Sequence, residues 1–364
     1  MVSFTPTEEQ QMLVEAIHRY AESDVRKIAH EADETGHIPA DVIATGWEIG
    51  LIPAAMPEDV GGLGEHSALT GALAAEEFAW GDLAVALNVL SPALFAYPVL
   101  LGGTADQRRD LLPLFVEGFV PMTAALMEPG VFFDAASLKT TATAQNGGFV
   151  LNGVKANVPL AAEADRMLVY ARDVETGQVG AYIVERTAPG VTVGEREKLM
   201  GIRGLATYPV TFSDVQIEAT CKLGGDQGID FRAIRSRSAV ALAALAIGVA
   251  RASYEYAREY AKERVAFGAP IATKQAIAFL LAEMAIEVDA ARLMVWEAAW
   301  KLDQGQDATP EAYLAKEYAA KAALFVCDGG VQTLGGHGFI REHPVERWLR
   351  NARGFAMFEG LAIV

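Results

Sequence analysis

The chain has 364 residues, 52% of them hydrophobic, which is enough for a large core and two or three domains and rules out a disordered protein. A net charge of −17 argues against a general nucleic-acid or anionic-membrane surface. The acidic, polar start MVSFTPTEEQQM does not read as a signal peptide, and no uninterrupted apolar run of transmembrane length stands out.

The elements follow in chain order. Residues 5–24 open as a helix, with Thr5 as cap, Pro6 in the first turn and Glu8 and Glu9 at the positive helix end. Met12, Leu13, Ala16, Ile17 and Tyr20 then recur at helical spacing. A second helix fits 39–49. LIPAAMPEDVGGLGE reads as a breaker loop around Pro57 and Gly61-Gly62. Alanine-rich helices are predicted at about 66–79 and 82–101, with a short one at 104–117. From Pro121 to about residue 218 the texture changes to short β-branched runs, with Asn152-Gly153 and Glu175-Thr176-Gly177 as hairpin connectors. Long helices return at about 229–263, 270–303, 308–334 and 344–358. In the second of these, Ile277, Leu280, Leu281, Met284, Ile286, Val288, Leu293 and Trp296 mark the core side. Helical, β, helical is an α+β order: an N-terminal helical domain (1–120), a middle antiparallel, barrel-like β-domain (121–225) and a C-terminal four-helix bundle (226–364). Cys221 and Cys327 lie far apart in sequence and read as free buried thiols in a reducing compartment, with no metal site.

The stretch from Gln332 to Val364 carries the chemistry. It holds a glycine cluster, a proline-started helix and Glu359-Gly360. Read alone, Glu359 is either a solvated charge or a base. The apolar neighbours Phe355 to Phe358 and Leu361 to Val364 favour the base, since a carboxyl enclosed by apolar groups is harder to ionise. Gly335-Gly336 reads equally as a helix C-cap, and Arg264 as a surface ion pair.

Taken together these landmarks resemble the acyl-CoA dehydrogenase family over nearly the whole chain. They run in the family's order: GLIPAAMPEDVGGLG, MEPG, LNGVK, KLMGIRG, KERVAFGAPIATKQAIAFLLAEM, QTLGGHG and FEG. The resemblance implies FAD-dependent α,β-dehydrogenation of an acyl-CoA thioester to a 2-enoyl-CoA. Glu359 would take the α-proton while the β-hydrogen leaves as hydride to the flavin. The Glu359 N–H and a flavin ribityl hydroxyl would stabilise the enolate, with Gly360 letting the backbone run close to the ligand. It also implies that Arg264, Phe267 and Gln275, with the Gln332, Gly335 and Gly336 turn, reach the FAD of a neighbouring subunit. An electron-transfer flavoprotein is the implied acceptor, and a cytoplasmic setting without membrane insertion is expected.

The chain departs from the family where a subunit holds its own flavin. Met127 stands for a threonine, Phe132-Phe133 for Gly-Ser, Asn157 for tryptophan and Pro159 for threonine. Asn351 stands for an aspartate, and Leu361 for the threonine after the family's Glu-Gly. Three readings remain open. One is a homotetramer holding the ring differently. Another is a heterotetramer with a second acyl-CoA dehydrogenase-like chain, the type best known from steroid side-chain breakdown. The third is a non-redox CoA-ester-binding or scaffold protein with Phe132 and Phe133 as core.

Overall fold

The structure is a computed structural model and describes residues 5–364. The first helix, Glu8–Tyr20, begins two residues later than the cap at Thr5 would allow. Thr7 is the cap instead: its hydroxyl accepts from Gln10 N while the Gln10 side chain accepts from Thr7 N, satisfying two end donors reciprocally. A single π turn, Ala21–Val25, then joins it to a further helix, Arg26–Thr35, which Gly36 ends in the left-handed region. The predicted breaker loop contains a short helix, Leu51–Ala55, before the turn at Gly61. The expected 82–101 helix is broken at Ser91-Pro92 into Leu83–Leu90 and Ala93–Gly102, because Pro92 has no N–H to donate to the preceding turn.

The middle region is one curled sheet of seven strands: β1 (Met122–Ala125), β2 (Thr141–Gln145), β3 (Gly148–Pro159), β4 (Arg166–Asp173), β5 (Val179–Glu185), β6 (Val191–Val193) and β7 (Thr207–Glu218). It is not wholly antiparallel, since β4 runs parallel to β1 and to the start of β2. Glu175-Thr176-Gly177 does connect β4 to β5. Asn152-Gly153 is not a turn but a bulge inside β3. The Asn152 side chain is spent on Asp214 of the paired strand, and Gly153 leaves Thr140 room that a Cβ would take. The hairpin is at Asn146-Gly147, both at positive φ as a two-residue connection demands.

Three long helices form the C-terminal part: Phe231–Glu263, Gln275–Asp303 and Thr309–Leu334. The expected fourth, Val345–Ala352, is only eight residues long. Ala68–Gly81 from the N-terminal part packs against the first two, so the bundle is shared between the helical regions. Phe231–Glu263 is long and apolar enough to cross a membrane, contrary to the sequence reading, but it is the buried centre of this packing. Its Val240–Ala250 stretch is buried at every position. In Gln275–Asp303 the core face holds Leu281, Met284 and Val288, whereas Ile286 and Leu293 are exposed. Cys221 and Cys327 are free thiols, and only Cys327 is buried.

Candidate active site

Glu359 lies beyond the Val345–Ala352 helix, after a run of turns ending at Met357. Gly360 has φ +64°, and a Cβ there would lie 2.8 Å from Leu126 Cδ2, so glycine is required on two counts. The expected apolar enclosure is incomplete. Phe355 and Leu361 to Val364 are buried, but Ala356 and Met357 are exposed and the Glu359 side chain remains 30% exposed. Its carboxylate forms an ion pair with Lys316 Nζ from the Thr309–Leu334 helix. Sequence reasoning missed Lys316, because a lysine in an alanine-rich helix carries no sign of a partner 43 residues on.

Glu359 and Gly360 line a narrow cavity of about 20 Å³, with Leu94, Leu126, Tyr170, Phe231 and Ile363 among its walls. Arg235 and Ser238 also line it and were not singled out from sequence. Arg237, on the same helix, donates to Val364 O at 3.1 Å.

A second cavity, of about 450 Å³, gathers Arg264, Phe267, Gln332, Gly335 and Gly336. Gln275 is not on its wall, although its neighbour Lys274 is. Gly335 is both things it was read as: it ends the Thr309–Leu334 helix at φ +59° and it faces the cavity. No atom lies within 4 Å of where a Cβ would stand on Gly335 or Gly336, so backbone faces open space there. Phe267 sits at the tip of a two-residue ribbon with φ +54° and 97% of its surface exposed. Tyr260 and His337, joined at 2.8 Å, complete the wall. The two cavities share no lining residue within one chain.

A third cavity, of about 820 Å³, holds neither group. It lies between the Arg196–Leu205 segment and the Val345–Ala352 helix. At its floor, Asn351 Oδ1 accepts from Ile202 N at 2.7 Å, holding Ile202 at φ 46°. The amide therefore supplies the acceptor that an aspartate would, without the charge.

Asn157 meets Met127, its amide 3.9 Å from the sulfur, and its own N–H is 3.3 Å from Glu197 Oε1. Pro159 ends β3 with no N–H to offer. Phe132 is 95% exposed and is not core, while Phe133 is half-buried against the Phe95–Phe115 cluster.

Residues 7–118, 123–215 and 235–362 match, in that order, the N-terminal, middle and C-terminal domains of acyl-CoA dehydrogenase. The chain belongs to the acyl-CoA dehydrogenase family. It is 34% identical to the caffeyl-CoA reductase–Etf complex subunit CarC of Acetobacterium woodii, covering 98% of this chain and 96% of that one. It is also 34% identical to the human mitochondrial short-chain specific acyl-CoA dehydrogenase, covering 97% and 87%. The solved butyryl-CoA dehydrogenase of Megasphaera elsdenii superposes with a TM-score of 0.91 at 33% identity, covering 98% and 96%.

As an acyl-CoA dehydrogenase the chain is an oxidoreductase acting on acyl-CoA, with FAD as its cofactor. When bound, FAD supplies the acceptor for the hydride from the acyl β-carbon. The residues of the Arg264–Gly336 cavity suit a diphosphate: glycine backbone facing open space, and a guanidinium with no partner among the described residues. At the narrow cavity, Glu359 is the one carboxylate among the lining residues, and Lys316 keeps it turned to a defined place.

Proposed function

We propose that this chain oxidises a short acyl-CoA thioester, with Glu359 as the base that takes the α-proton. The observation that carries the reading is Glu359 on the wall of a narrow cavity, its carboxylate anchored by Lys316 and its backbone brought in by Gly360. An ionised carboxylate accepts a proton; one drifting in solvent would lose the orientation that makes it effective. The cavity's apolar walls suit an acyl chain, and relatives named for short-chain and butyryl substrates favour a short one. Replacing Glu359 by Gln should abolish dehydrogenation while FAD content is kept. A mutant that turns over butyryl-CoA near the wild-type rate would remove Glu359 from the mechanism.

The FAD site is completed by a neighbouring chain, in this reading, through Arg264, Phe267 and the Gln332–Gly336 turn. In support, those residues sit apart from Glu359, and Phe267 projects into solvent. Exposed Phe279, Ile286 and Leu293 recur every seven residues on one helix, a pattern suited to packing against another helix. A tetramer built on these helices is the proposed assembly, with an electron-transfer flavoprotein as the redox partner. That partner sets the direction, since relatives include a subunit named for reduction in an Etf complex.

A second reading has its own observation. Met127, Asn157 and Pro159 offer few donors where a flavin ring would need them. In that reading the chain works in a heterotetramer and completes its partner's flavin site. The FAD content of the purified protein separates the two: one per chain supports the homotetramer, and half of that, appearing only with a second polypeptide, supports the heteromer.

A further inference from the structure

Most of the narrow cavity beside Glu359 is apolar, with Leu94, Leu126, Phe231, Ile234 and Ile363 on its walls. Arg235 and Ser238 break that pattern. They are three residues apart on the Phe231–Glu263 helix and therefore share a face. Nearby arginines of the same helix are accounted for: Arg232 pairs with Asp307 at 3.5 Å and Arg237 donates to Val364 O. Arg235 makes no hydrogen bond or ion pair among the described residues, although it is half-buried in a chain rich in acids.

Ser238 is only 6% exposed, and its hydroxyl has no partner among the described residues. Ser236, two residues earlier and on the opposite side of the helix, bonds Arg232 O in the usual helical way. An unpartnered buried hydroxyl is costly, so its persistence on a cavity wall points to a ligand that supplies the missing acceptor. The charge count agrees. Glu359 is matched by Lys316, which leaves the Arg235 cation with no anion on the wall.

Resting on the acyl-CoA reading of Glu359, we propose that Arg235 and Ser238 select an acyl group ending in a carboxylate: the CoA monothioester of a short dicarboxylic acid. The guanidinium fork matches a carboxylate with two parallel N–H donors, and the Ser238 hydroxyl donates to the same group. The anion neutralises the cation, and the apolar walls between Glu359 and Arg235 take the methylenes. The same walls strengthen the charged contact by excluding water.

The test compares glutaryl-CoA with pentanoyl-CoA, which has the same number of acyl carbons and no second carboxylate, on the FAD-loaded enzyme. Affinity is read by calorimetry and turnover by kcat/KM. Wild type should favour glutaryl-CoA about tenfold to a hundredfold, the range of a charge-assisted contact in such a site. Arg235→Met, which keeps the stem, should remove that preference by weakening glutaryl-CoA far more than pentanoyl-CoA. Arg235→Lys should restore part of it, and Ser238→Ala should weaken glutaryl-CoA alone by about fivefold. Preference of wild type for pentanoyl-CoA overturns the proposal, as does an equal loss on both thioesters in Arg235→Met, which would place Arg235 on the CoA moiety or in the fold. Turnover of pentanoyl-CoA with no preference overturns the specificity and leaves the Glu359 reading standing. Failure to bind or turn over either thioester overturns both.

Discussion

Lys155 is the most enclosed charge in the sheet, and its removal gives a sharp test of how the walls of the site are held. Its side chain is 0% exposed; Nζ donates to Glu128 Oε1 at 2.9 Å and to Leu126 O at 3.0 Å. Leu126 is the residue against which Gly360 packs, so this one ammonium ties β3 to the wall beside Glu359. Replacing Lys155 by Met leaves Glu128 buried with two remaining donors, Lys139 N at 2.7 Å and Thr140 N at 2.9 Å. Breaking a buried pair costs about 3–5 kcal/mol, and those two donors place this case near the lower end, about 3 kcal/mol. With a urea slope of about 3 kcal/mol/M for a large chain, the unfolding midpoint should fall by about 1 M. The double variant Glu128→Gln/Lys155→Met should recover most of that loss, because no charge is then left buried alone.

The pair also predicts a pH signature. Burial pushes the Lys155 ammonium down from 10.5 to about 8, with the Glu128 charge opposing but not cancelling it. Between about 8 and 10.5 the unfolded chain therefore holds a proton that the folded chain has released, and this group's contribution to stability rises with pH across that window. Lys155→Met should abolish that rise. A midpoint within about 0.3 M of wild type, or an unchanged slope between those pH values, would refute the argument that the pair is intact and buried.

On the acid side, burial pushes Asp33 up, but the hydrogen bonds and charge of Arg350, with Arg203 and Arg347, outweigh it and hold the carboxyl below its ordinary value. That stability is present above the ordinary aspartate range and is lost as pH falls through the depressed value. Asp33→Asn should flatten acid unfolding monitored by circular dichroism, and an unchanged acid profile would count against it. Gly360→Ala forces a Cβ to within 2.8 Å of Leu126 Cδ2 at φ +64°, and should cost about 2 kcal/mol and lower kcat. Wild-type kcat in that variant would mean the Glu359 backbone can shift freely. Arg264→Ala should lower FAD retained after gel filtration, and full flavin occupancy would contradict its proposed contact with the diphosphate.

The helical, β, helical order was legible because each region has its own texture, and because several short motifs fall in family order. Five of the six expected cofactor contacts meet in one cavity, and Gln275, one position beyond the wall, does not. What escaped has common physical causes. Lys316 meets Glu359, and Arg235 reaches the cavity wall, only after folding, and neither sits in a motif singled out from the sequence. Asn152-Gly153 has turn composition, but composition does not say whether a glycine's positive φ serves a turn or a bulge. Ile286 and Leu293 obey helical periodicity, yet periodicity marks an apolar face without saying which surface covers it.

The sequence comparison marked Leu361 as a departure, since it lacks the hydroxyl of the threonine in the family pattern. Burial gives it and the residues after it a different part. Leu361, Ala362, Ile363 and Val364 are each at most 6% exposed. Val364 packs on Gly71 of the N-terminal helices, where a Cβ would lie 3.0 Å from it, and its carbonyl accepts from Arg237 of the central helix. Ile363 joins the core cluster that spans Leu94, Leu126 and Ile234. Burying a large aliphatic side chain contributes about 1.5–3 kcal/mol, so this short segment is pinned by several kcal/mol of apolar burial. Glu359 is thus fixed from three directions: Lys316 on the C-terminal helices, Leu126 on the sheet side through Gly360, and the N-terminal core through Ile363 and Val364. The base role proposed for Glu359 needs it to stay within reach of one carbon atom, and that anchoring limits how far it can stray. The apolar tail therefore fixes the backbone that carries Glu359, while Lys316 fixes its carboxylate.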